Sequence, residues 1–160
     1  MEIRPATVDD REPIRRVARE AWHDTYDELA PDTIDETIDD WYGDESFADA
    51  LEEPGTAVLV AEVDGEVVGF THGVVHEDEG DVLRMYVHPD HQGEGVGTAL
   101  HERLREDLED LSMNRMRAID LASNDASRAF YERLGFERTD EAEVEFGDET
   151  HTEAVYTLEL

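Results

Sequence analysis

The sequence contains no cysteine and no lysine. The first absence excludes disulfides and thiolate nucleophiles. The second leaves arginine as the whole basic complement, 13 residues against 44 acids, for a formal net charge of −31. A chain this acidic repels nucleic-acid phosphates, and its densest basic run is only "RRVAR" at residues 15–19, so no nucleic-acid partner is expected. Apolar runs are short as well. None approaches the ~18 residues of a membrane span. The opening "MEIRPATVDD" has no signal-peptide core. These features predict a cytoplasmic protein with no membrane partner.

An excess of acid raises disorder as a reading. However, apolar residues make up 39% of the chain and recur with helix and strand periods, so a fold is expected. At 160 residues a single domain spanning 1–160 is expected; a domain of that size buries roughly 70% of its unfolded surface. The acids then belong on a solvated surface. Such a surface resembles that of halophilic proteins, where molar salt shortens electrostatic screening to ~3 Å. Partial unfolding in dilute buffer is expected.

"EIRP" reads as a strand. Ile14, Val17, Ala18, Ala21 and Trp22 then follow helical spacing, with Asp9 and Asp10 at the helix start and Pro13 in its first turn. Ile34, Ile38, Trp41 and Tyr42 suggest a second helix, followed by a loop or short helix through Phe47 and Leu51. "TAVLVAEVDGEVVGFTHGVV" is a hairpin turning at Asp64-Gly65. "DVLRMYVHP" is a strand stopped by Pro89. Leu100, Leu104, Leu108 and Leu111 trace a helix face from Val96 onward. "MRAIDLA" is a strand and "SNDASRAFYERLG" a helix, with Ser123 or Asn124 as cap and Gly135 at its end. "FERTDEAEVEF" and "THTEAVYTLEL" close the chain as strands joined at Gly147-Asp148. This order implies an α/β sheet of mixed direction.

The stretch "HPDHQGEGVGTALHERL" places Gly93, Gly95 and Gly97 at alternate positions before a helix. Glycine is unfavourable inside a helix. At a helix mouth it bares backbone N–H groups where the dipole is positive, and pyrophosphate suits such a place. The stretch is neither a Walker loop nor a dinucleotide fingerprint: no Lys-Ser/Thr follows, and the glycine spacing differs.

"YVHPDHQGEGVGTAL" resembles the acyl-CoA-binding signature of the GNAT superfamily of N-acetyltransferases, Q/R-x-x-G-x-G/A, at Gln92, Gly95 and Gly97. "NDASRAFYERLGF", Asn124 to Phe136, is similar to that family's second signature, N-x-x-(A/S)-x-x-x-Y-x-x-x-G-F. The resemblance extends from "EIRPAT" to the final strand. It implies a GNAT-like mixed central β-sheet flanked by helices, in the order β-α-α-β-β-β-α-β-α-β-β. It also implies acetyl-CoA as co-substrate and direct transfer of acetyl to a primary amine in a ternary complex. Backbone amides across Gln92, Gly93, Glu94, Gly95, Val96, Gly97 and Thr98 would hold the pyrophosphate. Met85 and Val87 would pair with pantetheine, the Met85 amide polarising the thioester carbonyl. Asn124 would contact pantetheine, and Tyr131 would protonate the departing thiolate.

The chemistry suits these residue types. A lysine-like amine has pKa ~10.4 and must lose a proton to attack, so a base is needed. A thiol leaves near ~8.5, and a phenol at ~10 can donate to it. Asp81 is the expected base, acting through water, because some relatives carry a glutamate on this strand; Glu79, Asp120 and Glu62 compete. No metal is expected. His72 and His76 lie four apart on a strand, roughly 13 Å. His88, Asp90 and His91 share a turn that offers no tetrahedral set. His72 is placed where it could face the acceptor.

The acceptor pocket is expected to draw walls from Trp22, Tyr26, Trp41, Tyr42 and Phe47, with Asp24, Asp27 and Glu28 to attract a cationic amine. The acceptor that the resemblance implies is a small-molecule amine or a protein N-terminus. The resemblance allows a homodimer through edge strands or the C-terminal hairpin and leaves the oligomeric state open. The alternative reading is a non-catalytic acyl-CoA-binding sensory or interaction module.

Overall fold

The computed structural model describes residues 1–26 and 29–160. Seven strands form one sheet: β1 (Glu2–Pro5), β2 (Thr56–Val63), β3 (Glu66–His76), β4 (Glu79–Val87), β5 (Arg115–Leu121), β6 (Glu137–Phe146) and β7 (Glu149–Glu159). Their order is β1-β2-β3-β4-β5-β7-β6. The β4–β5 pair is parallel, because the crossover helix α4 (Val96–Asp110) returns the chain to the same end of the sheet. The other pairs are antiparallel. This is the mixed α/β sheet implied above.

Each face of the sheet carries its own core. Helices α1 (Arg11–Thr25), α2 (Pro31–Trp41) and α3 (Asp44–Glu52) cover one, where Ile14, Val17, Trp22, Ile34, Ile38 and Phe47 pack on Val58, Val60 and Phe70. On the other face lie α4 and α5 (Asp125–Arg133). There Leu100, Leu104 and Leu108 pack on Ala61, Val82, Met116 and Ala118. Each such leucine contributes roughly 1.5–3 kcal/mol by burial.

Local chemistry explains most boundaries. At the β2–β3 turn Asp64 has φ 53° and Gly65 φ 80°, as a two-residue type I′ turn requires. Pro13 sits in the first turn of α1, where its missing N–H is harmless. Asn124 caps α5 by accepting from the Ser127 amide at 3.0 Å. Asp10 does more than favour a helix start: it is buried and takes the Arg4 guanidinium at 2.8 and 3.0 Å and the Thr7 amide at 2.8 Å, tying β1 to α1.

The element order departs from the expected one by a helix. The segment through Phe47 and Leu51 is the full helix α3, with Phe47 buried against Tyr42. Its two large apolar side chains, Phe47 and Leu51, lie four residues apart on one face, a thin signal in sequence.

Candidate active site

The site begins with a fault in β4. In the β3–β4 ladder Gly73 pairs with Val82 and His72 with Arg84, so Leu83 is an extra residue, a β-bulge. The parallel β4–β5 ladder ends at Val82 and Ala118, beside that bulge. Beyond it the two strands have no paired residues, and a cleft lies between them.

Backbone groups alternate sides along a strand. The His88 amide donates to Val68 on β3 at 2.8 Å, so Tyr86 turns its backbone the same way, while Met85 and Val87 turn theirs into the cleft. The Gln92 side chain reaches the Val87 carbonyl at 3.4 Å, which marks that side as the open one.

Past β4 the chain makes a 3-10 turn at Pro89–His91 and enters the glycine loop. Gly93 has φ 80° and Gly95 φ 83°, a region side chains disfavour. Gly97 is small for another reason: a Cβ there would meet the Phe130 ring at 3.3 Å, so α4 and α5 approach closely. Helix α4 starts at Gly95 with no side-chain cap and no acid in its first turn. By contrast α1, α2 and α5 each place an acid there. In a chain with 44 acids, this one helix start is left open to an external anion.

Met85, Val87, Gln92, Gly93, Gly95, Val96, Gly97, Thr98, Asn124 and Tyr131 line a single cleft of about 630 Å³. Of the expected cofactor contacts, Glu94 is outside its lining and pairs with His91 at 3.2 Å. Arg133, Tyr86 and Asp24 join the wall, and none of the three was expected as a cofactor contact. Tyr131 is buried, stacked on Tyr156 with ring centroids 5.6 Å apart and edge-on to Phe136. Burial, then the nearby Asp120 charge, raises its phenol well above the ordinary value and keeps it protonated.

Asp120 sits where β5, α1 and α5 meet. It accepts from the Tyr26 hydroxyl at 2.7 Å, the Ser127 hydroxyl at 2.5 Å and the Leu121 amide at 2.8 Å. Asn124 donates to the Tyr26 hydroxyl at 3.0 Å. Burial raises the carboxyl of Asp120, against those hydrogen bonds.

Asp81 is not brought to this cleft. It lies before the bulge, where β4 and β5 are still paired, and its carboxylate meets His76 at 3.0 Å and Arg117 at 3.8 Å. The expected base therefore stands apart from Tyr131. Glu79 pairs with Arg115 at 2.8 Å and Arg117 at 3.2 Å, and Glu62 with Arg4 at 3.2 Å. His76, Glu79 and Asp81 bring ligating atoms within 4.8 Å of one another, a grouping that spacing within one strand did not show. The two arginines on Glu79 supply positive charge there.

The opposite face holds a group that sequence reasoning missed. Glu153 on β7 pairs in register with Leu121, whose side chain belongs to the α1–α2 core. Glu153 is partly buried, and its carboxyl is raised by burial, then by Asp120, with Arg84 opposing. Arg84 and Tyr86 point to this same face, since Tyr86 packs on that core. His72 is buried there, with Nδ1 3.3 Å from Arg84. Of the expected acceptor walls, Trp41 stays partly exposed, while Trp22, Tyr26, Tyr42 and Phe47 are buried in the core. Asp27 and Glu28 lie outside the described residues.

A mixed sheet opened between two parallel strands, with a glycine loop and a bare helix start at its mouth, defines the N-acetyltransferase class of fold. The model of the acetyltransferase (GNAT) family matches residues 16–136, and the chain belongs to that family. An acetyltransferase of Pectobacterium atrosepticum is 37% identical over 82 residues, 51% of this chain and 58% of that protein, so the match spans little more than half the relative's length. The fold is similar to that of the PaiA N-acetyltransferase from Thermoplasma acidophilum in complex with coenzyme A, with a TM-score of 0.83, 23% identity and coverage of 95% and 96% of the two chains. It is also similar to the ribosomal-protein-S18-alanine N-acetyltransferase from Escherichia coli, at TM-score 0.76, 21% identity and coverage of 99% and 92%. No helix among the described residues is long and apolar enough to cross a membrane.

Proposed function

We propose that this protein transfers acetyl from acetyl-CoA to a primary amine, directly, within a ternary complex. One observation carries the reading: the turned-out backbone of Met85 and Val87, the uncapped start of α4, Asn124 and Tyr131 all face one cleft.

Amides from Gln92 to Thr98 bind the pyrophosphate, helped by the α4 dipole and by Arg133, an arginine with no carboxylate partner among the described residues. Pantetheine lies along β4 as an added strand and meets Met85, Val87 and Asn124. The Met85 amide polarises the thioester carbonyl. The amine approaches from the α1–α2 face. Its nitrogen attacks the carbonyl carbon, the carbon–sulfur bond breaks, and Tyr131 protonates the departing thiolate. Glu153 takes the proton from the amine, directly or through water, in place of Asp81. Its raised carboxyl is a better match to an amine than an ordinary surface glutamate.

Release of free thiol from acetyl-CoA with a panel of amines, in molar KCl, tests the reading. Amine-dependent release is expected. Uptake of acetyl-CoA without thiol release under any amine would favour the acyl-CoA-binding module instead.

A further inference from the structure

Arginine is scarce in this chain, and almost every one is neutralised. Arg4, Arg11, Arg15, Arg16, Arg19, Arg103, Arg105, Arg115, Arg117, Arg128 and Arg138 each pair with a carboxylate. Among the described residues, two do not. Arg133 lines the cofactor cleft. Arg84 lies on the acceptor face.

Arg84 is held in place without being neutralised. Its guanidinium lies 3.9 Å from the Trp41 ring centroid and 5.5 Å from that of Tyr42. Its Nη1 meets His72 Nδ1 at 3.3 Å. His72 is buried and neutral at ordinary pH, so it accepts a hydrogen bond and leaves the positive charge whole. The Arg84 Nε is buried and has no partner, which is rare for a buried donor. The Glu153 carboxylate lies near enough to be felt, yet among the described residues no carboxylate closes on Arg84.

Position gives this charge a use. Arg84 directly precedes Met85 on β4, so about 3.3 Å of strand separates it from the residue whose amide meets the thioester. The side chains of the two residues point to opposite faces, Met85 toward the α4 core and Arg84 toward the acceptor. A ligand there meets a fixed cation on one side and the partly buried carboxylate of Glu153 on the other. An ordinary amine needs only the acid. In a protein of net charge −31, an unpaired arginine beside it fits an acceptor that carries its own anion.

We propose that Arg84, stacked on Trp41 and steered by His72, binds a carboxylate of the acceptor, so that the amine acetylated here is a small zwitterion of amino-acid type. This rests on the acetyltransferase reading and narrows it. A planar guanidinium suits a carboxylate through paired hydrogen bonds. The ammonium end then faces Glu153, which takes its proton.

Matched pairs test the assignment: amino acids and their carboxamides, which differ at the carboxylate, assayed by thiol release at fixed KCl. The acid is expected to exceed its amide in kcat/KM by on the order of 10- to 100-fold, the scale of a charge-assisted hydrogen bond. R84Q should bring that ratio to about one, and R84K should restore part of it. Binding of N-acetyl amino acids and their amides to the coenzyme A-loaded protein should show the same ratios without turnover. Circular dichroism on each variant checks that it folds. Equal use of acid and amide by the unaltered protein overturns the inference whatever the variants do, as does a ratio that survives R84Q. Calorimetry with acetyl-CoA separates the two readings. If acetyl-CoA fails to bind, acetyl transfer itself falls; if it binds but acids and amides are not distinguished, only the role of Arg84 falls.

Discussion

Tyr131 and Glu153 divide the proton traffic in this account, and their environments set the division. Burial against Tyr156 and Phe136 holds the Tyr131 phenol protonated, so it can give a proton to sulfur. Tyr131→Phe keeps the ring stack and removes the hydroxyl. It should lower kcat by about 100-fold, the scale of general acid catalysis, with acetyl-CoA affinity unchanged by calorimetry; equal turnover would remove the hydroxyl from the mechanism. Glu153 carries a raised carboxyl, so its charged form is disfavoured in the fold. Glu153→Gln should therefore raise the melting temperature at neutral pH and lower kcat/KM by about 100-fold. The gain in stability should vanish at acid pH, where the native glutamate is protonated. His72 gives a second pH signature. Its folded pKa is about 4 against an ordinary 6.5, chiefly through burial. Between those values the unfolded chain binds a proton that the folded chain refuses, so stability falls as pH drops through that window. His72→Gln should weaken this slope in pH-dependent denaturation; an unchanged slope would assign it to other groups. The two signatures around Tyr131 and the glycine loop were legible in sequence because fixed spacing carries them. The place of Glu153 beside Leu121 was not, because it comes from β7 inserting between β5 and β6, which spacing along the chain does not reveal.

At the scale of elements, the bulge at Leu83 and the glycine loop make the cleft. The hairpin at Asp64-Gly65, helix α4 and the Asn124 cap followed from turn chemistry, leucine spacing and capping preference. The bulge did not, because it lies in "VLRMYV", a largely apolar run in which one extra residue breaks no visible alternation. Asp81 falls before the bulge, on the paired part of β4, and Met85 after it, in the cleft with Tyr131. Gly95→Ala tests the loop. At φ 83° a side chain should destabilise the fold by about 1 kcal/mol and weaken acetyl-CoA binding together, because the same backbone turn presents the α4 amides. Loss of stability with intact binding would separate the turn from the phosphate site.

For the whole molecule, charge is the governing term. Exposed ion pairs such as Arg105–Glu109 and Arg128–Glu132 each contribute little. They leave an excess of 31 negative charges to repel one another. Edge strand β6 is largely exposed and carries Glu137, Asp140, Glu141, Glu143 and Glu145, a row that opposes pairing of two copies along that edge in dilute buffer. Melting temperature should rise steeply from dilute buffer to molar KCl, with loosened secondary structure at the low end. A salt-independent circular dichroism spectrum would contradict the reading of a salt-screened surface. The measurement that bears most directly on the account is calorimetric titration of acetyl-CoA into folded protein in molar KCl. Saturable uptake of one molecule per chain is expected, weakened by Gly95→Ala and retained by Tyr131→Phe; folded protein that takes up none would contradict a coenzyme A site at the glycine loop.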